Sequence, residues 1–137
     1  MFCFRCQGAT QVSNSRPHKK TPQVWRRRNC TECGSTFTTY ERINLIDELQ
    51  IQTVNGSIKY NPGELLQSLI ECFAHKSVVS SDAYWLMRSI EDGLAAHDLP
   101  VISEAAYQKR IYTTLHNFDE LAGIQYAARH GLRTLLR

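Results

Sequence analysis

The sequence has no run of apolar residues approaching 18, so no membrane-spanning helix is expected. It opens without an apolar segment behind a basic stretch, so no secretory leader is expected and the cytoplasm is the default compartment. Acidic residues are scarce in one region. Residues 1–43 carry only Glu32 and Glu41 against eight Lys/Arg, a net of +6, whereas residues 44–137 carry eight basic and eleven acidic side chains, a net of −3. That split implies two jobs in a chain of 137 residues, long enough for one ordinary domain or two small ones. A compact basic segment suits a polyanionic partner through phosphate neutralisation and counterion release. A plain solvated face is the alternative. No nucleophile–base pair is visible, and His75, His97, His116 and His130 have no partner at ligand spacing, so each reads as a surface or satisfied histidine. An enzyme is not expected.

What the chain does have is cysteine at one end. Four of its five cysteines form two pairs, Cys3-x-x-Cys6 and Cys30-x-x-Cys33, separated by 23 residues. A two-residue gap lets a tight turn aim both thiolates at one ion, and two such knuckles complete a tetrahedral Cys₄ shell around Zn²⁺. The separation exceeds the usual span of about 15–20 residues, so the middle must be a longer hairpin or loop. Four thiolates leave no open coordination position, which makes the metal structural. An iron centre and a redox dithiol pair are the alternatives. His18 could substitute as a ligand, although a full Cys₄ set favours a surface role for it. About 43 residues build too small a core, so the metal would supply much of the folding free energy. Cys72 lies in an apolar helical pattern and reads as a core thiol.

Thr10–Ser13 and Gln23–Arg28 are β-compatible, Ser15–Pro22 is Pro-punctuated loop, and Phe37–Tyr40 reads as a returning strand. In a strand, Arg26 and Arg28 share the face of Val24, opposite Trp25 and Arg27. That arrangement suits an edge wrapping a phosphate backbone. Trp25 either stacks on a base or packs over the zinc core. Residues 49–60 read as a hairpin, with Asn55-Gly56 giving two φ > 0 positions of a type I′ turn. A helix follows from Asn61 (N-cap) and Pro62, with Leu65, Leu66, Leu69, Ile70 and Phe73 in one stripe. A second starts at Ser80 or Ser81 with Leu86, Met87, Ile90 and Leu94, and a third at Ser103-Glu104 with Tyr107, Ile111, Leu115 and Phe118. A fourth starts near Asp119, with Leu121, Ile124, Ala128, Leu132 and Leu135 as its apolar face. The expected fold class is α+β: a zinc ribbon over 1–43, then a hairpin leading a four-helix cluster over 44–137.

The order of these motifs resembles the NrdR family, bacterial repressors of ribonucleotide reductase genes built from a zinc ribbon and an ATP-cone. The resemblance rests on Met1–Cys6, Val12–Arg16 and above all Arg26-Arg27-Arg28-Asn29-Cys30-Thr31-Glu32-Cys33-Gly34-Ser35-Thr36-Phe37-Thr38-Thr39-Tyr40-Glu41-Arg42. It continues more weakly through Leu65-Leu66, Val79–Asp82, Leu115 and Phe118–Ala127. It implies a ribbon that binds operator DNA as a double strand, with Arg16, Lys19, Lys20, Arg26, Arg27, Arg28 and Arg42 as contacts. It also implies a cone that binds ATP or dATP as effector and forms a homo-oligomer. Hairpin 49–60 and the helix after it would hold the nucleotide, through Thr53, Val54, Asn55, Lys59, Tyr60 and Lys76. The chain departs from the family in places. Trp25 stands where relatives place a fourth basic residue. Thr53-Val54 stand where relatives carry a Lys/Arg pair for the phosphates, and Lys59 and Lys76 are the cations left to compensate. The second reading is therefore a cone that has lost its nucleotide and serves oligomerisation alone.

Overall fold

The computed structural model describes residues 1–77 and 80–136. Val79, one of the positions carrying the resemblance, lies outside them. Two compact units divide the chain, Met1–Ile43 and Asn44–Arg137.

The first unit is an antiparallel three-stranded sheet, β1 (Thr10–Pro17), β2 (Gln23–Cys30) and β3 (Thr36–Arg42), in the order β1-β2-β3. Strand β1 runs four residues past the expected Ser13. Arg16 and Pro17 pair with Trp25 and Val24, and the loop shrinks to residues 18–22. Pro17 is tolerated because it ends an edge strand, where a missing N–H breaks no central ladder. Ser13 is the extra residue of a bulge between Val12 and Asn14, and its hydroxyl donates to the Arg27 carbonyl at 3.2 Å.

The second unit is α+β. A short helix α1 (Leu45–Glu48) precedes the hairpin β4 (Gln50–Thr53) and β5 (Gly56–Lys59). Helices α2 (Pro62–Glu71) and α3 (Ser80–His97), strand β6 (Val101–Ser103), helices α4 (Glu104–Phe118) and α5 (Glu120–Arg129) and a 3₁₀ turn (Arg133–Leu135) follow. The sequence caps work as their chemistry requires. Asn61 accepts from the N–H groups of Gly63 and Glu64, Ser103 from Ala106, and Asp119 from Ala122. Neither α1 nor β6 is foreshadowed, since each is too short to show a period. Strand β6 is fixed by tertiary pairing: it adds to β4 in parallel, Ile51 opposite Ile102, giving the order β5-β4-β6.

Two expectations fail. The hairpin is not type I′. Among the described residues Gln7 is the only non-glycine with φ > 0, so Asn55 is not left-handed, and Gly56 alone carries the positive φ (120°). The Thr53 hydroxyl organises the tip instead, accepting from the Asn55 N–H at 3.1 Å and donating to the Gly56 carbonyl at 2.8 Å. The apolar face of α5 is also rotated. Leu121, Ile124 and Ala128 are exposed, whereas Ala122, Gly123, Tyr126 and Ala127 are buried, and the helix ends before Leu132. The reason is close approach to α4. A Cβ on Gly123 would stand 2.8 Å from the His116 Cα, so this seam is built from small side chains.

The other stripes bury as their spacing requires. Leu65, Leu69 and Phe73, Leu86, Met87, Ile90 and Leu94, and Ile111 and Leu115 join Leu49, Ile51, Tyr60 and Tyr126 in one core, while Ile70 and Phe118 stay at its exposed margin. Cys72 is fully buried, and burial pushes its thiol up to about 11, as befits a packing residue.

Candidate metal centre and nucleic-acid interface

Both knuckles fold into the same loop. Cys3 N–H donates to the Gly8 carbonyl at 2.8 Å, and Cys30 N–H donates to the Ser35 carbonyl at 2.9 Å, each closing a loop of six residues. The residue after the second cysteine is left-handed in both, Gln7 at φ 63° and Gly34 at φ 70°. This brings all four Sγ atoms within 4.8 Å of one another, with Cys3–Cys33 at 3.8 Å and Cys6–Cys30 at 3.4 Å. A tetrahedron with Zn–S bonds of about 2.3 Å has edges of about 3.8 Å. The donor set and its spacing therefore fit a structural zinc held by Cys3, Cys6, Cys30 and Cys33.

Donors surround the sulfurs. N–H groups of Arg5, Gly8 and Glu32 point at the Sγ atoms of Cys3, Cys6 and Cys30, each at 3.4 Å. The Ser35 hydroxyl lies 3.0 Å from Cys33 Sγ and 3.3 Å from Cys3 Sγ. The Ser35 hydroxyl, with backbone N–H groups, lowers Cys3 to about 6 and lowers Cys33 as well. At Cys6 the Gly8 N–H lowers the thiol, but the bonds to Cys30 and Cys33 outweigh it and push it up to about 12. These donors favour the thiolate form at Cys3 and Cys33, and a divalent ion bound by the four sulfurs would displace the protons they keep. Sequence reasoning missed Ser35, and its only signal is its place two residues after Cys33.

The arginines of β2 are spread over both faces of the sheet. Arg26 is held by the Glu41 carboxylate (3.1 Å) and the Ser15 hydroxyl (3.0 Å), and Arg28 reaches the Thr39 hydroxyl at 3.4 Å. Arg27 donates to Thr36 (2.9 Å) and Thr38 (3.4 Å) and is exposed. Lys19 and Lys20 are exposed in the loop, where His18 Nδ1 accepts from the N–H groups of Lys20 and Thr21. His18 is therefore a loop cap and lies outside the cysteine cluster. Arg16 lies over the Trp25 ring at 5.7 Å, and Arg42 over the Tyr40 ring at 5.2 Å.

The residues of the candidate nucleotide site are scattered. Thr53, Val54 and Asn55 form the hairpin tip, with Val54 96% exposed. Lys59 lies at the other end of β5, opposite Gln50. Tyr60 is buried, and its hydroxyl donates to Glu91 Oε1 at 2.8 Å; burial, then that bond, raise its pKa. Lys76 pairs with Asp119 at 2.6 Å, and its ammonium sits about 5.5 Å from the rings of Phe73 and Phe118. Asp119 also meets His75 Nε2 at 3.1 Å. That contact spans 44 residues and is invisible in sequence.

A Cys₄ knuckle pair on a three-stranded sheet with a basic central strand defines a zinc ribbon. Residues 1–41 match the family described as transcriptional repressor NrdR-like, N-terminal domain. Over 93% of its length the chain is also similar to proteins named transcriptional repressor NrdR. It is 29% identical to that of Methylacidiphilum infernorum, covering 78% of the relative, and 28% identical to that of Herpetosiphon aurantiacus, covering 85%.

Proposed function

We propose that the chain is a zinc-containing, DNA-binding transcriptional repressor. The observation that carries this is that the second knuckle ends the strand bearing Arg26, Arg27 and Arg28, so the metal that closes the ribbon also fixes those cations. The names of the relatives supply the regulatory sense. On this reading Arg16, Lys19, Lys20, Arg26, Arg27, Arg28 and Arg42 meet double-stranded operator DNA upstream of ribonucleotide reductase genes. Phosphate contacts fix the register, and base edges give the sequence preference. One ribbon makes few base contacts, so a homo-oligomer formed by residues 44–137 gains avidity at paired sites. ATP or dATP, bound at the hairpin and α2, acts as effector by favouring one oligomer over another.

The test is duplex binding and footprinting at the reductase promoter, with no nucleotide, with ATP and with dATP. Protection that changes with nucleotide is expected, and no protection would sink the repressor reading. A second reading has its own observation. The hairpin tip carries no cation, and Lys76 is paired with Asp119. There the cone serves oligomerisation alone, and isothermal titration would give no heat with either nucleotide.

A further inference from the structure

One face of the ribbon carries planar groups that phosphate contacts do not use. Trp25 on β2 lies directly opposite Arg16 on β1 and Tyr40 on β3. Trp25, Tyr40, Arg16, Pro17, His18 and Gln23 line a depression of about 190 Å³, mostly apolar. Tyr40, a large ring on the edge strand β3, is 60% exposed. The walls are held in place. Arg42 donates through Nε to Gln23 Oε1 at 3.0 Å, and His18 Nδ1 accepts from Lys20 and Thr21 N–H, which leaves the ring proton of the neutral imidazole on Nε2.

The volume falls below the roughly 300–1,000 Å³ of a pocket that takes a whole small molecule, so it suits one planar ring belonging to something larger. Aromatic rings and guanidinium planes are the surfaces on which unstacked bases rest. The larger body is a polyanion, because Arg16 lines the slot, Arg42 is bonded to its Gln23 wall and Lys19 and Lys20 follow His18 in sequence, inside a segment of net charge +6.

We infer that the Trp25–Tyr40 face is a stacking slot for an unpaired DNA base, so that the ribbon holds single-stranded DNA in addition to the duplex. This rests on the DNA-binding reading and goes beyond it. Arg27 follows Trp25 on the same face of β2, so a strand seated in the slot finds a cation for a phosphate beside it. Arg16 and Arg42 act as second plates above the rings, since a guanidinium stacks on aromatic faces and on bases alike.

The test uses the full zinc-loaded chain carrying Trp85→Phe. Trp85 is the only other tryptophan and is 65% exposed on α3, so the emission then reports Trp25 alone. The probes are a short oligothymidylate, an abasic strand of equal length with the same phosphates, thymidylate itself and a duplex. Oligothymidylate is expected to quench Trp25, and the abasic strand and free thymidylate are not. Trp25→Ala should weaken strand binding by about 5- to 100-fold and leave duplex affinity nearly unchanged, whereas Trp25→Phe should retain both. Zinc content and far-UV signal confirm that the variants fold. Equal quenching by the abasic strand overturns the slot, as does equal affinity for free thymidylate. An equal loss of strand and duplex affinity in Trp25→Ala would make Trp25 a packing residue and overturn it too. Duplex binding without strand binding overturns the slot alone, and binding to neither overturns the DNA reading with it.

Discussion

Single side chains decide the chemistry of the ribbon, and they differ in how readable they are. Cys3, Cys6, Cys30 and Cys33 were legible because metal geometry imposes spacing on sequence. Ser35 was not, because a hydroxyl beside a thiolate imposes none. Glu41 stayed hidden for another reason: it lies opposite Val24 on the neighbouring strand and reaches Arg26 diagonally, which only the register reveals. The pair is exposed and adds little stability, but it occupies the guanidinium that a phosphate would use. Glu41→Gln should therefore tighten duplex binding, as read by anisotropy at fixed salt. Arg27→Ala should weaken binding and flatten its salt dependence, and an unchanged slope would remove Arg27 from the contacts. In the second unit, Asp119 is held well below the carboxylate range by the hydrogen bond from Lys76, then by the Ala122 N–H and His75. A depressed folded pKa adds stability that is present above the unfolded value of about 3.9 and is lost as pH falls toward the folded one. Asparagine keeps the cap but not the charge. Asp119→Asn should thus lower the melting temperature of the helical signal below wild type at pH 7, and the gap should close in acid.

Elements follow the sequence where they are long and capped. Helices α2 and α4 start at their caps and, with α3, bury most of their stripes, because a 3.6-residue period sustained over ten or more residues has little other meaning. Helix α5 shows the limit. Its large residues suggested one face, but its small residues form the seam, because backbone approach to α4 gains more contact than a row of leucines held further away. Periodicity weighted by hydrophobicity does not see glycine. The expectation at Gly123 is correspondingly sharp. Gly123→Ala in an ordinary helix gains roughly 1 kcal/mol of propensity, yet here the added methyl meets His116 backbone at 2.8 Å. Overpacking should turn the gain into a loss of about 1–3 kcal/mol in urea unfolding of the helical signal. The hairpin teaches a similar lesson: Asn-Gly pointed to one turn type, and the Thr53 hydroxyl selected another.

At the scale of the whole chain, charge marked the same change at residue 43 that the compact units mark, because a metal-closed ribbon and an apolar core obey different composition rules. Their stabilities should separate as well. Chelation, or Cys30→Ser, should release zinc and unfold residues 1–43 while far-UV signal from the helices of residues 62–129 persists. Loss of that signal on chelation would mean that the two units fold as one.

The matched knuckles carry one asymmetry. The same left-handed position is filled by Gly34, for which it costs nothing, and by Gln7, which resists it. Its N–H donates to the Cys3 carbonyl at 2.9 Å, and a metal bound to Cys3 and to the adjacent Cys6 would hold Gln7 there. Once the ion leaves, its backbone is free to return to the common basin, whereas Gly34 has no such preference. The amide resonance and coupling of Gln7 are therefore a built-in gauge of metal occupancy, readable by NMR without any added probe.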